Sequence, residues 1–317
     1  MKSRVAIVGA GVSGLTCGVV FAENGFKTSI LAEQIGNETD SAAAAAMWYP
    51  YDAGPAGRTI AWALTTYGAL SDLARDPRSG VSTVDLRTFS RAGEIEIPEW
   101  ALPLGARRLR SDIPAAFVSG FALNVPVMDT TIYLDYLAGR FREAGGELHP
   151  SMRFTNLEEV DPAFDLIINC SGIGARTLVR DSEVEPHRGQ VAIVAKMDRP
   201  GAVVCDDPPL MYAIPRANDW VFGGTNQLSD DRTIDPGATA RIVAECSRIL
   251  EIDPPTVLRE RVALRPFRRS GVRLEQQKLH GGRPAIHNYG HGGSGFTLSW
   301  GCAEAVLRIA QQIRGDQ

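Results

Sequence analysis

The 317-residue sequence has no apolar run approaching the roughly 18 to 20 residues that span a bilayer. Its opening, MKSRVAIVGAGVSG, begins basic and turns apolar, but glycines interrupt the run and no small-residue cleavage site ends it, so no secretory leader is expected. The terminal RGDQ is neither a peroxisomal nor a retention address. Basic excess is missing as well. Lys and Arg number 33 against 37 Asp and Glu, a net charge of -4, and the one basic cluster, RPFRRSGVR at 265 to 273, is too short to make a nucleic-acid surface. The five cysteines are odd in number, scattered and without a C-x-x-C pair. They read as small buried hydrophobes in a reducing compartment, so the expected location is cytoplasmic. No internal repeat is found, no serine carries a G-x-S-x-G elbow, and Asp112, Asp129 and Asp135 lack the spacing of a catalytic carboxylate pair.

With 44% hydrophobic and 22% charged residues, the composition is that of a compact, soluble, enzyme-sized fold. RVAIVGA (4 to 10) reads as a β-branched strand, GLTCGVVFAENGF (14 to 26) sets Leu15, Val19 and Ala22 at helical spacing, and KTSILAE (27 to 33) returns to strand. This is a βαβ unit. In the middle, 86 to 100, 191 to 205 and 219 to 228 lack helical crossovers and predict antiparallel sheet. Helical spacing at Tyr133, Leu134, Leu137 and Phe141, followed by the buried strand FDLIINCSGIGA (164 to 175), shows βαβ character resuming. The expected class is α/β, with a nucleotide domain built from separated pieces of chain.

Gly9, Gly11 and Gly14 form G-x-G-x-x-G between the first strand and the first helix. The first glycine makes the tight turn, the second admits a pyrophosphate, and the third lets helix and strand pack. Val12 and Ser13 open the helix, whose free N–H groups and positive dipole attract phosphate. Glu33, nineteen residues beyond Gly14, stands where a carboxylate accepts hydrogen bonds from an adenosine ribose and disfavours a 2′-phosphate. The fingerprint alone leaves FAD and NAD open. FAD requires a second strand-to-glycine turn late in the chain, which INCSGIGA and HNYGHGGSGF both offer.

HNYGHGGSGF also carries His287 and His291, four apart. A metal pair at that spacing needs a helix, which Gly290, Gly292 and Gly293 disfavour, and no carboxylate-rich partner stands nearby, so no metal is expected. The glycines suit a backbone pressed against a flat ring instead.

VAIVGAGVSG, AMWYPY (46 to 51), NCSGIGA, RGQ (188 to 190), YAIP (212 to 215), RPFRRSGVRLE (265 to 275) and HNYGHGGSGFTLSWGCA occur in one order, and with them the chain resembles the D-amino-acid oxidase family over nearly its full length. The resemblance implies a Rossmann-like FAD-binding domain (1 to 50, 130 to 185 and 262 to 317) interleaved with a substrate-binding domain on a mainly antiparallel sheet (51 to 129 and 186 to 261). It places Gly9, Gly11, Gly14, Glu33 and Gln34 at the adenosine end and Ser41 at the diphosphate. Phe154 flanks the adenine end, Ala45, Ala46 and Met47 lie along the flavin, and Ser171 and Gly172 close over it. Gly290, Gly292, Gly293, Gly295, Phe296 and Thr297 form the late cradle, the last three opening a helix aimed at the flavin.

For catalysis the resemblance implies Tyr212 and Arg273 as donors to a substrate carboxylate, with Gly293 beside the reacting centre. Met47, Tyr49, Met211, Ala213 and Ser294 are expected around the substrate. Arg265 and Arg268 are read as surface or salt-bridge cations. The implied reaction is FAD-dependent oxidative deamination of neutral or apolar D-amino acids by hydride transfer from Cα to flavin N5, giving 2-oxo acid, ammonia and, with O₂, H₂O₂. A D-aspartate, D-glutamate or glycine oxidase and a non-catalytic flavin-binding protein are the alternatives. The expected partners are the small amino acid and O₂, with neither nucleic acid nor membrane, and a homodimer is left open. The chain departs from the family in two places. Only fifteen residues separate RGQVAIVAK from YAIP, where eukaryotic relatives carry a longer lid, and Tyr49 stands where LWQPY has glutamine.

Overall fold

The computed structural model describes residues 3–51, 54 and 56–315. The chain opens with β1 (Arg4–Val8), α1 (Val12–Glu23) and β2 (Lys27–Leu31), the expected βαβ unit. Next come α2 (Ala56–Leu73), β3 (Val81–Ser90), β4 (Arg107–Arg108), β5 (Ser119–Met128), α3 (Thr130–Glu143), β6 (Glu147–His149), β7 (Leu166–Asn169) and α4 (Ala175–Leu178). The second half runs β8 (Val184–Ala195), β9 (Ala202–Cys205), β10 (Met211–Pro215), β11 (Asp219–Gly223), β12 (Gln227–Leu228), α5 (Pro236–Leu250), β13 (Val257–Arg268), β14 (Arg273–Lys278), β15 (Pro284–Tyr289) and α6 (Gly295–Gly315).

Two sheets carry the described residues. In the first, β14-β15-β7-β1-β2-β6, all pairs are parallel except the β14–β15 hairpin. Its central strands read RVAIV, KTSIL and LIIN because both faces are covered, one by α1, α3 and α6 and the other by Leu157, Val160, Phe164 and Leu178, leaving no wet face that would call for alternation. α1, α3 and α6 pack together beside α2 in the core, with Phe21, Tyr133, Phe141 and Leu298 fully buried.

The second sheet, β12-β8-β11-β10-β9-β3-β5-β4 with β13 also on β8, is antiparallel apart from β3–β9. Its helix α5 starts on Asp235, whose carboxylate accepts from the Gly237 N–H, and buries Ile242, Val243, Cys246 and Ile249 on one side. β13 runs beside β8 as far as Arg268, so the second sheet reaches past residue 262, where the sequence places the return to the nucleotide domain. The strand does not stop there because each step from Val262 to Arg268 finds a backbone partner on β8.

The two sheets are tied at several points. Arg216 and Asp219 form a buried bidentate pair, with Nε and Nη2 at 2.7 and 2.9 Å from the carboxylate, and Nη1 of Arg216 reaches Thr130 Oγ1 at 3.1 Å on the nucleotide side. The Gly292 N–H donates to the Pro266 carbonyl at 2.9 Å, linking β13 to the glycine turn before α6.

α2 and α6 approach so closely that a Cβ at Gly301 would lie 2.2 Å from the Trp62 carbonyl oxygen. Gly301→Ala is expected to lower unfolding free energy by about 1 to 3 kcal/mol through overpacking, read as a reduced midpoint in urea denaturation at unchanged slope.

Candidate functional site

A cavity of about 530 Å³ opens between the two sheets, within the usual range for ligand pockets. On the nucleotide side it is lined by Gly9, Gly11, Val12 and Ser13 at the start of α1, by Glu33 and Gln34 just beyond β2, and by Ser171 and Gly172 after β7. Gly9 has φ 109°, and a Cβ there would lie 2.5 Å from the Cys170 carbonyl oxygen. Gly14 lies behind the cavity wall: its missing Cβ would stand 1.9 Å from the Gly9 carbonyl oxygen, so its task is the close helix packing expected of a third glycine. Ser41 Oγ accepts from the Val12 N–H at 3.0 Å, which brings this hydroxyl to the helix N-terminus where phosphate is favoured.

Ala45, Ala46, Met47 and Tyr49 follow along the wall. Ala46 holds φ 54°, a left-handed conformation that costs a non-glycine residue about 1 to 3 kcal/mol. Backbone bonds to β5 enforce it: Met128 N–H to Ala46 C=O and Trp48 N–H to Pro126 C=O, both 2.8 Å. Gly292, Gly293, Gly295 and Phe296 complete this side, with Phe154 at the far end beside Arg153 and Glu33.

On the second sheet, Tyr212 and Ile214 of β10 line the cavity while Met211 and Ala213 point into the apolar core on the other face. Met211 and Ala213 are therefore not pocket residues; strand alternation sends them opposite to Tyr212. Arg273 departs from expectation too. It lies on β14 outside the cavity, with Nη1 donating to Tyr289 Oη at 2.8 Å, Nε to Glu275 at 2.7 Å and Nη2 to Gln277 at 3.1 Å. Arg265, read from sequence as a surface cation, lies in the cavity wall. Its Nη1 donates to the Thr225 carbonyl at 2.9 Å, and Nη2 stands 3.5 Å from Tyr212 Oη.

Room for this pair is made by glycines. A Cβ at Gly189 would lie 2.6 Å from the Arg265 guanidinium carbon, one at Gly223 would lie 2.0 Å from the Tyr212 ring, and one at Gly293 would lie 2.6 Å from Tyr51 Cδ1. Ser294, Thr297 and Gly290 do not line the cavity. Ser294 Oγ accepts from the Tyr51 N–H at 2.8 Å and Thr297 Oγ1 from the Tyr49 N–H at 3.1 Å, so these hydroxyls pin the 49 to 51 segment to the start of α6. Gly290, at φ 84°, turns the chain where a side chain would meet Arg268. Tyr51, which the sequence left between core packing and a pocket wall, lines the cavity, and sequence reasoning missed Val204, Asp206, Leu210 and Arg232, all in the wall. For Val204 the parallel with Tyr212 across β9–β10 is the available signal.

Electrostatically, the histidines of the glycine turn are held neutral. Burial depresses both His287 and His291 to about 4. His287 Nε2 lies 2.8 Å from Gln277 and its Nδ1 3.2 Å from Asn169, while His291 Nε2 lies 3.1 Å from Asn288. Burial, reinforced by Asp206, raises the Tyr49 phenol above its ordinary value, and burial raises the Asp206 carboxyl.

These parts fit FAD: a glycine turn and helix N-terminus for the diphosphate, an acid for the ribose, and a second glycine turn backed by neutral imidazoles and the start of α6. A dinucleotide-type sheet and a mainly antiparallel sheet enclosing one cavity are the architecture of a flavin-dependent oxidoreductase. A family profile described as FAD dependent oxidoreductase (DAO) matches residues 4–309. The sequence is 40% identical over 317 residues to a D-amino-acid oxidase from Rubrobacter xylanophilus, covering 97% of this chain and 96% of that one. It is 31% identical to the human D-aspartate oxidase, covering 98% and 95%. The fold superposes on a glycine oxidase from Geobacillus kaustophilus with a TM-score of 0.83 at 18% identity, covering 98% and 95%. The chain belongs to the D-amino-acid oxidase family and is an FAD-dependent oxidoreductase. No helix among the described residues is long and apolar enough to cross a membrane.

The depressed histidines carry a pH consequence. Folded values near 4 against an ordinary 6.5 mean that the unfolded chain binds more protons between those limits, so stability is fully present above about 6.5 and declines as pH falls towards 4. Urea midpoints measured across that window should fall with acidity, and the decline should be shallower in His291→Asn.

Proposed function

We propose that this enzyme oxidises D-amino acids with neutral side chains to 2-oxo acids and ammonia, passing electrons to O₂ to give H₂O₂. The observation that carries the reading is the Arg265–Tyr212 pair, facing one cavity with both glycine turns. The 34 to 40% identity to proteins named D-amino-acid oxidase supports it.

Arg265 is fixed through Nη1 by the Thr225 carbonyl, and its Nη2 stands 3.5 Å from Tyr212 Oη, so a carboxylate placed beside both would accept from both. A carboxylate held by a guanidinium and a phenol has both position and orientation. Such anchoring limits the substrate's freedom at Cα, and positioning is the protein's principal contribution where a cofactor supplies the chemistry. FAD, held by the Gly9 to Ser13 turn, Ser41 and the Gly292 to Phe296 turn, would supply the two-electron acceptor for the Cα hydrogen and the reactivity toward O₂. The imino acid that forms hydrolyses to the 2-oxo acid and ammonia. His291 is buried, neutral and already bonded to Asn288, so it is not required as a base. The side-chain region beside Met47, Tyr49, Ile214 and Leu210 is apolar apart from the Tyr49 phenol and the Asp206 carboxylate it touches, and the Arg153 and Arg232 cations are engaged by Glu33 and Asp40. A neutral side chain suits this wall better than an acidic one.

The FAD-loaded enzyme should release H₂O₂ with D-alanine, D-methionine or D-phenylalanine and not with their L-enantiomers; faster turnover of D-aspartate than of D-methionine would overturn the substrate reading. Arg265→Met should lower kcat/KM by at least about 30-fold, the effect of removing a charged anchor worth roughly 2 to 5 kcal/mol, while flavin content is retained. Arg273→Ala should instead lower stability by about 1 to 3 kcal/mol, measured in urea, and leave the Arg265 effect intact.

A further inference from the structure

The side-chain end of the cavity contains a carboxylate that anchoring does not use. Asp206 follows β9 directly and lines the cavity. On the neighbouring strands Tyr212 pairs with Val204 and Met211 with Cys205. Val204 and Asp206, two residues apart, face the same cavity as Tyr212 and Leu210, so Asp206 stands about 7 Å along the strand from the anchoring row. Tyr49 Oη donates to its Oδ2 at 3.4 Å.

No lysine or arginine among the described residues pairs with Asp206. Asp207 beside it is engaged, accepting from Ser90 Oγ at 2.8 Å and from the Arg91 N–H at 2.7 Å. Asp206 thus differs from its neighbour in keeping acceptor capacity directed into the cavity, with one phenol to hold its orientation.

We propose that Asp206 widens the side-chain range beyond neutral D-amino acids, favouring among long side chains those with a cationic end, an ammonium or a guanidinium, and repelling acidic ones. The assignment rests on the oxidase reading and on Arg265 with Tyr212 as the carboxylate anchor. A substrate so anchored directs its side chain along β10 towards Leu210 and Asp206. The four-carbon stem of lysine, or arginine's planar fork, covers a span of that order with methylenes against Met47 and Leu210. A guanidinium offers the carboxylate two parallel donors. A carboxylate-ended side chain meets like charge at the same point.

Kinetics with D-arginine and D-citrulline test this on the unmodified FAD-loaded enzyme, because the two have nearly the same shape and differ in charge. We expect kcat/KM for D-arginine to exceed that for D-citrulline by about 10-fold, and Asp206→Asn to reduce the ratio at least about 5-fold, differences typical of one charged contact. D-Glutamate should be the poorest of the three and improve in Asp206→Asn. Equal values for D-arginine and D-citrulline in the unmodified enzyme, or a ratio unmoved by Asp206→Asn, would overturn the role of Asp206 while leaving the oxidase reading in place. Failure of every D-amino acid, D-methionine included, to reduce the flavin would overturn both.

Discussion

The site depends on a steric allowance: glycine at positions where any side chain would displace Arg265 or Tyr212. Tyr212 and Gly223 are direct partners across β10 and β11, and the ring lies over the glycine. Gly189 leaves space for the Arg265 guanidinium on the neighbouring β8, two pairs removed in register. Sheets ordinarily fill such positions with cross-strand side chains that stabilise the ladder. Here that packing is given up so that two polar groups can face a cavity together.

The same allowance links the halves of the molecule. β13 brings Arg265 to the cavity and then, at Pro266 and Phe267, pairs with the glycine turn that precedes α6. Ser294 and Thr297, at the start of that helix, hold the Tyr49 to Tyr51 segment by its backbone. The glycine turn proposed to cradle the cofactor and the pair proposed to anchor the substrate are therefore joined by short bonds through one turn. Neutral histidines suit this location, since a buried cation without a counterion would be costly.

Sequence was most informative where chemistry is local. G-x-G-x-x-G with Glu33 specifies a turn, a helix start and an acid from adjacent residues, and the structure brings Gly9, Gly11, Val12, Ser13 and Glu33 to one wall. Arg265 and Arg273 could not be separated that way. Both lie in RPFRRSGVRLE, and which of them meets the cavity depends on β13 continuing to Arg268 before the chain changes sheet at β14. That is a matter of long-range pairing with β8. Met211 and Ala213 are a different kind of miss: once Tyr212 faces the cavity, period-two alternation already turns its neighbours away. Ser294 and Thr297 are near the site by sequence, but their hydroxyls are consumed by backbone groups that only the folded chain brings within reach.

The claim on which this account turns is that the carboxylate anchor lies between Arg265 and Tyr212. A crystal structure of the FAD-loaded enzyme with D-lactate bound would test it most directly. The account predicts carboxylate oxygens within hydrogen-bond reach of Arg265 Nη2 and Tyr212 Oη, with the Arg273–Tyr289 contact undisturbed. A carboxylate held by Arg273, or one elsewhere in the cavity with Arg265 still bonded only to Thr225, Asn226 and Tyr212, would contradict it.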